Sequence, residues 1–181
     1  SCSMAADSYA RISGRPALVC VTSGPGATNA ITGVMGAWVD SIPMIVISGQ
    51  VRYDISVYSS GLPLRYRGPQ EFDIVSSVSN MTKYAKTLTD PMEIKAEAEK
   101  AYALAMEGRR GPVWLDIPLN VQNAIIETDD LVQYQPTKNV LEPSDQDLDF
   151  VREAIAKSKR PCILIGSGVV AGGATEELDA F

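Results

Sequence analysis

Short apolar runs that alternate with helical patterns are the feature of this sequence that most restricts its fold. Residues 17–21 are a continuous apolar run of strand length with β-branched residues, and residues 44–48 and 113–117 are mostly apolar runs of the same length, as in buried strands of a parallel sheet. Amphipathic patterns over about residues 27–39 and 90–106 lie between them. Strands that alternate with helices connect by parallel crossovers, so the sequence predicts an α/β fold with a doubly wound parallel sheet.

Weaker patterns fill the intervals between these elements. Helices are predicted over residues 4–11 and from Gln70 to about Val78, and a half-buried strand over residues 82–88. Residues 51–69 show no clear period and are predicted to form a long loop.

A change of composition then divides the chain. Residues 126–143 are acidic and bracketed by prolines, which predicts an interdomain linker after a first domain of residues 1–125. Residues 144–181 open with a helical pattern, followed by an apolar strand at residues 162–165 and a glycine-rich turn. We interpret this last part as the beginning of a second, Rossmann-like α/β domain.

The helical pattern of this last part has its own start signal. Ser144 is followed three residues later by Asp147, which predicts a capping box at the beginning of a helix that reaches about Ser158.

Composition excludes several classes of function. The 16 Lys and Arg against 22 Asp and Glu give a net charge of −6, without the basic cluster that binding to nucleic acid requires. Pro, Gly and charges interrupt every apolar run before it could span a membrane. Three separated cysteines and no histidine disfavour a disulfide framework and exclude a His-containing metal site. We therefore expect a reduced, cytoplasmic protein.

The turn after the first strand is the most distinctive motif. It reads Thr22-Ser23-Gly24-Pro25-Gly26-Ala27-Thr28-Asn29, at the expected carboxyl end of a parallel strand. Two glycines allow close approach to the backbone, and a following helix offers free N–H groups. From the residues alone, the turn is either a phosphate or carboxylate site or a tight βα turn without special function.

Other motifs follow this turn in a fixed order. Taken together, they resemble the pyrimidine-binding domain of the acetolactate synthase family, which uses thiamine diphosphate, over roughly residues 1–125. The motifs are Tyr9-Ala10-Arg11, Gly14-Arg15-Pro16, the Thr22–Asn29 turn, Asp40-Ser41-Ile42-Pro43, Ser48-Gly49-Gln50-Val51, Gln70-Glu71, Thr82-Lys83-Tyr84 and residues 108–118.

The resemblance implies roles for particular residues. It places the Gly24-Pro25-Gly26 turn against the aminopyrimidine ring of the cofactor, with Thr22 and Ser23 beside the ring. This role for the turn replaces the interpretation of the turn as a phosphate site. Asn29 would help to hold the turn, and Gln70 would point into the active site as a catalytic residue. Three positions, Ser41, Lys83 and Arg109, match the substrate or flavin side, although surface charges and a capped turn explain them equally well.

The same resemblance implies what this chain lacks. In the family, a glutamate that hydrogen-bonds a ring nitrogen promotes deprotonation of the thiazolium carbon, and family spacing places it just before Ser1. Asp7, Glu71 and Asp73 do not match that motif. Mg²⁺ would be bound in a diphosphate domain outside this chain. We therefore expect the 181-residue chain to be an inactive fragment of an enzyme that acts on a 2-oxo acid.

Several properties of the parent enzyme are expected from the resemblance alone. It would be a transferase or lyase with its active site between the subunits of a homodimer or homotetramer. FAD is possible, since Gly166 to Gly172 resembles the opening of a central domain that holds FAD in some members. A simple decarboxylase or C–C lyase, or a non-catalytic nucleotide-binding module, are the alternatives.

The loop of residues 54–69 departs from the family pattern. It is longer than in the biosynthetic synthases and carries Tyr58, Arg65, Tyr66 and Arg67. Either it is an extended surface loop or it changes the choice of substrate.

Overall fold

The structure is a computed structural model that describes residues 2–136 and 142–181. It divides the chain into two compact units, residues 1–136 and 137–181. The predicted boundaries at residues 125 and 143 remain predictions, and part of the predicted linker lies outside the described residues.

A four-stranded parallel sheet forms the centre of the first unit. The strands lie in the order β1-β2-β4-β3, which confirms the predicted α/β class with crossover connections. In register, Val21 of β1 pairs with Ser48 of β2, which pairs with Asp116 of β4, which pairs with Thr87 of β3. The strands are β1 (Ala17–Val21), β2 (Met44–Gln50), β3 (Tyr84–Thr87) and β4 (Pro112–Pro118).

Helices cover both faces of this sheet. In the first unit they are α1 (Cys2–Ser13), α2 (Pro25–Thr28), α3 (Ile31–Val39), α4 (Val57–Ser60), α5 (Ile74–Val78), α6 (Ile94–Met106) and α7 (Leu119–Gln122), with 3₁₀ turns at Tyr53–Ile55, Ser79–Met81, Pro91–Glu93 and Thr128–Asp130. The second unit contains α8 (Asp145–Lys157), α9 (Gly168–Gly172) and α10 (Thr175–Ala180).

Two apolar cores separate the layers. On one face, α1, α3 and α5 pack against β1, β2 and the fully buried Trp114 of β4. On the other face, Ala101 and Ala105 of α6 pack against Val113 and Leu115 of β4. On β1, Leu18 is 65% exposed and Cys20 is also exposed, so this face of β1 is uncovered in the described residues.

The contact between α1 and α3 depends on a glycine. A β-carbon added at Gly33 would lie 2.7 Å from the Cβ of Ser3, and the buried Ser3 hydroxyl makes no hydrogen bond in the described residues. On the same helix, a β-carbon at Gly36 would meet nothing within 4 Å. Gly33 therefore sets the spacing of the two helices.

Three predicted elements were wrong. The helix expected over residues 27–39 is broken, because the Ala30 N–H bonds back three residues to Ala27 and α3 begins only at Ile31. The helix expected from Gln70 begins at Ile74, where Asp73 accepts a cap bond from the Ser76 N–H. Residues 162–165 form no strand, and the described part of the second unit contains no strand with which they could pair.

The capping box at α8 is confirmed. The Ser144 hydroxyl accepts from the Asp147 N–H at 3.2 Å, and the Asp147 carboxylate accepts from the Ser144 N–H at 3.1 Å. None of the helices in the described residues is long and apolar enough to cross a membrane.

Candidate cofactor site

The turn after β1 has a backbone conformation that favours glycine. Gly24 has φ 52° and ψ −114°, a region that L residues rarely adopt. The N–H of Gly26 donates to the Ser23 carbonyl, and that of Thr28 donates to the Gly24 carbonyl. α2 has four residues and begins with a proline, which has no N–H, and the N–H groups of Gly26 and Thr28 are used within the turn, so the turn offers a phosphate fewer donors than a full helix N-terminus.

Gln70 lies directly against this turn. A β-carbon added at Gly24 would overlap the Gln70 carbonyl oxygen and lie 3.2 Å from its carbonyl carbon. Gln70 itself has φ 58°, which is uncommon for a residue other than glycine. Gly24, Pro25, Thr28 and Gln70 line a cavity of about 270 Å³. The structure thus brings together two motifs that are more than forty positions apart in the sequence.

A larger groove of about 730 Å³ lies on the other side of the turn. It is lined by Thr22 and Ser23 after β1, by Ile47, Ser48 and Gln50 of β2, and by Ile117 of β4. Hydroxyl and amide groups therefore stand at the carboxyl ends of two neighbouring parallel strands, β1 and β2, beside apolar side chains of β2 and β4. An apolar slot with a few polar groups at its end suits a flat, polar heteroaromatic ring.

A buried polar network supports this edge of the sheet. Asp116 is 2% exposed and accepts hydrogen bonds from Ser48 Oγ at 2.5 Å and from Gln50 Nε2 at 3.0 Å. Ser48 in turn accepts from Trp114 Nε1 at 2.8 Å. Burial raises the pKa of Asp116 to about 6, although the hydrogen bonds from Ser48 and Gln50 act in the opposite direction.

Gln50 also connects this network to the segment that carries Gln70. Its Nε2 donates to the Phe72 carbonyl at 2.9 Å, and its Oε1 accepts from the Val51 N–H at 3.0 Å. Sequence reasoning placed Gln50 in a motif but gave no role to Gln50, Ser48 or Asp116. Polar residues inside otherwise apolar strands were the signal that was available.

The three acids that do not match the family's glutamate motif, Asp7, Glu71 and Asp73, are engaged elsewhere. Asp7 pairs with Arg11 at 2.9 Å, and Asp73 caps α5. Glu71 accepts from the N–H groups of Val57, Arg67 and Gly68 at 2.6, 2.8 and 2.9 Å. Burial tends to raise the pKa of Glu71, but these three bonds outweigh it and hold that pKa below its ordinary value. Glu71 therefore braces the long loop.

Asn29 and Gly26, which are also predicted cofactor residues, lie in the same turn. Asn29 is exposed, and its backbone N–H donates to the Pro25 carbonyl at 3.1 Å. A β-carbon at Gly26 would meet the methyl group of Thr22, so these two residues are in close contact. The whole Thr22–Asn29 segment is thus one compact turn.

The three residues predicted on the substrate or flavin side lie at the other end of the sheet. Ser41, Lys83 and Arg109 come just before β2, β3 and β4, whereas the turn follows β1. Because the strands are parallel, about seven residues of strand, or roughly 20 Å, separate the two groups. Within the described chain they do not share a site with Gln70.

This second group is held by its own hydrogen bonds. Ser41 has φ 61° and ends α3 in a Schellman turn, with Ile42 N–H bonded to the Ala37 carbonyl. Arg109 Nε donates to Ser41 Oγ at 2.7 Å, and Lys83 Nζ donates to the Glu107 carbonyl at 2.5 Å. Burial lowers the pKa of Lys83.

Comparison with known proteins defines the class to which this fold and turn belong. Residues 1–77 match the family described as thiamine pyrophosphate enzyme, N-terminal TPP binding domain. The matched segment includes β1, the Gly24 turn and Gln70. The chain belongs to this family of thiamine pyrophosphate enzymes.

Within that family the chain is similar to acetolactate synthases. It is 38% identical to the acetolactate synthase large subunit of Corynebacterium glutamicum over 98% of this chain and 27% of the relative. It is 37% identical to a probable acetolactate synthase large subunit of Methanocaldococcus jannaschii, over 96% of this chain and 29% of the relative. The chloroplastic acetolactate synthase of Arabidopsis thaliana is 34% identical over 98% of this chain and 26% of that protein. The chain thus spans less than a third of the length of these relatives.

Proposed function

We propose that this chain supplies the pyrimidine side of the active site of a thiamine-diphosphate-dependent enzyme that decarboxylates a 2-oxo acid and transfers the resulting two-carbon unit to an acceptor. The similarity to acetolactate synthases supports this reaction. The observation that carries the proposal is the packing of Gly24 against Gln70 beside a groove at the carboxyl edge of a parallel sheet.

The residues around the groove fit the polar end of thiamine. Thr22 and Ser23 would hold the ring, Ile47 and Ile117 would exclude water from its faces, and Gly24 and Gly26 would let the backbone approach it closely. When bound, the cofactor supplies a thiazolium carbon that becomes a nucleophile after it loses its proton.

Gln70 would act on substrate without adding charge. Its amide offers two N–H donors and one carbonyl acceptor, and it keeps them at every working pH. A neutral donor can stabilise developing negative charge on a substrate oxygen without protonating the reacting carbon. The backbone and Cβ of Gln70 pack against Gly24, so the side chain of this exposed residue starts from the turn.

Other parts of the proposal concern the intact enzyme. Mg²⁺ and the diphosphate would be bound by residues outside this chain, and the active site would lie between the subunits of a cytoplasmic homodimer or homotetramer. FAD, if bound, would lie on the side of Ser41 and Arg109. A decarboxylase or C–C lyase on the same scaffold would use the same turn and the same glutamine.

The test is Gln70→Ala in the full-length enzyme. We expect turnover of pyruvate to fall about 10- to 100-fold, a loss of ~1.4–2.7 kcal/mol in transition-state stabilisation, with little change in melting temperature. Thiamine diphosphate affinity should fall less, since most of it comes from the diphosphate. The exposed Gln133→Ala is the matched control and should leave turnover unchanged.

A second variant separates catalysis from folding. Gln70→Gly removes the same amide but relieves the positive φ, so it should be more stable than wild type by up to about 1 kcal/mol and still turn over slowly. Unchanged turnover in Gln70→Ala together with a lower melting temperature would show that Gln70 is structural.

A further inference from the structure

The segment that carries Gln70 has little regular structure of its own. Between the short helix α4 and Ile74, residues 61–73 are mostly exposed. Gln70 adopts a strained left-handed conformation within it. The three bonds that Glu71 accepts tie this segment to itself and to Val57. They do not fix its position against the sheet.

Gln50, the last residue of β2, connects the segment to the sheet by a hydrogen bond, next to the packing of Gly68 against Val51. Its amide nitrogen donates to the Phe72 carbonyl at 2.9 Å, two residues from Gln70. The Phe72 carbonyl also accepts from the Ile74 N–H at 3.0 Å, so it stays satisfied without Gln50. Loss of the Gln50 bond would therefore shift the segment without leaving a buried polar group unpaired.

Asp116 determines which way the Gln50 amide faces. The carboxylate accepts the same Nε2, at 3.0 Å, and the Val51 N–H donates to Oε1 on the other side. A flipped amide would set an oxygen against the carboxylate and a nitrogen against the N–H. Asp116 is itself fixed by Ser48, which is fixed by the buried Trp114. Rigid strands thus orient a side chain that reaches into a segment with little regular structure.

We propose that Gln50, oriented by the buried Asp116, is a positioning residue that holds the turn carrying Gln70 against the Gly24 turn. This inference rests on the proposed function for the importance of Gln70 in turnover. The placement of the turn itself can be measured separately.

The experiment exchanges the donor and the acceptor between Gln50 and Asp116 in the full-length enzyme. In Gln50→Glu, a carboxylate faces both Asp116 and the Phe72 carbonyl. The contact with Phe72 becomes repulsive, and the buried Asp116 keeps its contact only by taking up a proton, which lowers stability as pH rises. In the double variant Gln50→Glu with Asp116→Asn, the new amide at position 116 can donate to the new carboxylate at position 50, while Ser48 still donates to the oxygen of that amide. The bond within the sheet is restored, but the donor to Phe72 is not.

Three readouts are followed: melting temperature, turnover and amide hydrogen exchange of residues 67–73. We expect Gln50→Glu to lower melting temperature, to reduce turnover about 10- to 100-fold and to speed exchange of the segment at least 10-fold. In the double variant, melting temperature should return towards wild type, while slow turnover and fast exchange persist. Return of all three would overturn the proposal, since the network would then be merely structural.

Two further variants keep the result interpretable. Gln50→Met has the same length but no donor and no charge, and it should reproduce the fast exchange and slow turnover if Gln50→Glu fails to fold. Thr82→Val removes a buried side-chain bond to a backbone carbonyl, from Thr82 Oγ1 to Val78 O at 2.9 Å, away from the turn. It should lower melting temperature without changing exchange of residues 67–73 or turnover.

Failure of this inference and failure of the proposed function give different results. Unchanged exchange of residues 67–73 in Gln50→Met would overturn the positioning role. If turnover is slow in Gln70→Ala, then fast exchange together with normal turnover in Gln50→Met would also overturn the positioning role. If Gln70→Ala also has normal turnover, Gln50 holds the turn as proposed, and the role given to Gln70 is the part that fails.

Discussion

Replacement of Gly24 by alanine tests the contact on which the candidate site depends. The new side chain would have to adopt φ 52° and ψ −114°, and its β-carbon would overlap the Gln70 carbonyl oxygen. This conformation lies outside the left-handed helical region, and such sparsely populated backbone costs an L residue about 1–3 kcal/mol. Overpacking against a backbone atom adds about 1–3 kcal/mol. We therefore expect Gly24→Ala to lower the free energy of unfolding by about 2–6 kcal/mol.

Gly14→Ala is the control for the free-energy cost of placing an L residue at a positive φ. Gly14 has φ 67°, but a β-carbon there would meet nothing within 4 Å, so its substitution should cost about 1–2 kcal/mol. Urea unfolding of the wild type and both variants gives the two free energies, provided that the slopes agree. Equal losses for the two variants would refute the contact between Gly24 and Gln70. In the full-length enzyme, Gly24→Ala should also raise the KM for thiamine diphosphate.

Two further predictions concern helix packing and the buried carboxyl group. Gly33→Ala should lower the free energy of unfolding by about 2 kcal/mol because α1 must move away from α3. Gly36→Ala on the same helix should raise it by about 0.5–1 kcal/mol, because its new methyl group meets nothing. Similar effects of the two substitutions in thermal melts would contradict the packing of α1 against Gly33. The raised pKa of Asp116 means that the folded state favours the protonated carboxyl group. The contribution of Asp116 to the free energy of unfolding is therefore fully present below about pH 4, and it is lost as the pH rises through about 6. Relative to Asp116→Asn, the wild type should therefore lose about 2 kcal/mol between pH 4 and pH 7, and parallel pH profiles would argue against a buried, desolvated Asp116.

The sheet could be predicted from the sequence because its signals are local. The runs at β1, β2 and β4 are mostly apolar, and each lies between helical patterns, so their burial and their parallel pairing follow together. The same reasoning failed at the helix expected from Gln70. Nothing local indicates that Gln70 adopts a left-handed conformation, which is held by contacts with Gly24 and by the bonds of Glu71 to residues up to fourteen positions away.

The candidate site was only partly predictable for the same reason. The Gly24 turn was singled out from its own residues, Gln70 was found through the resemblance, and the fold explains why they meet. Asp116 lies 66 positions from Gln50, and pairing of β2 with β4 is what brings the two side chains together. No spacing rule within either strand reveals that bond. A polar residue in an apolar strand indicates only that some partner must exist.

The two ends of the sheet differ in how their polar groups are used. At the amino end, Lys83 and Arg109 donate to a backbone carbonyl and to Ser41, so these cations close the loops that precede β3 and β4. At the carboxyl end, Gln50 joins the sheet to the segment of Gln70, while Thr22 and Ser23 border a groove of about 730 Å³. A ligand at the amino end would compete with bonds that already hold the loops, whereas a ring at the carboxyl end enters beside groups that the fold has placed around open space. The chemistry of thiamine is therefore expected at the carboxyl end. Any contact of Lys83 or Arg109 with flavin or substrate would belong to a second site at the far end of the strands.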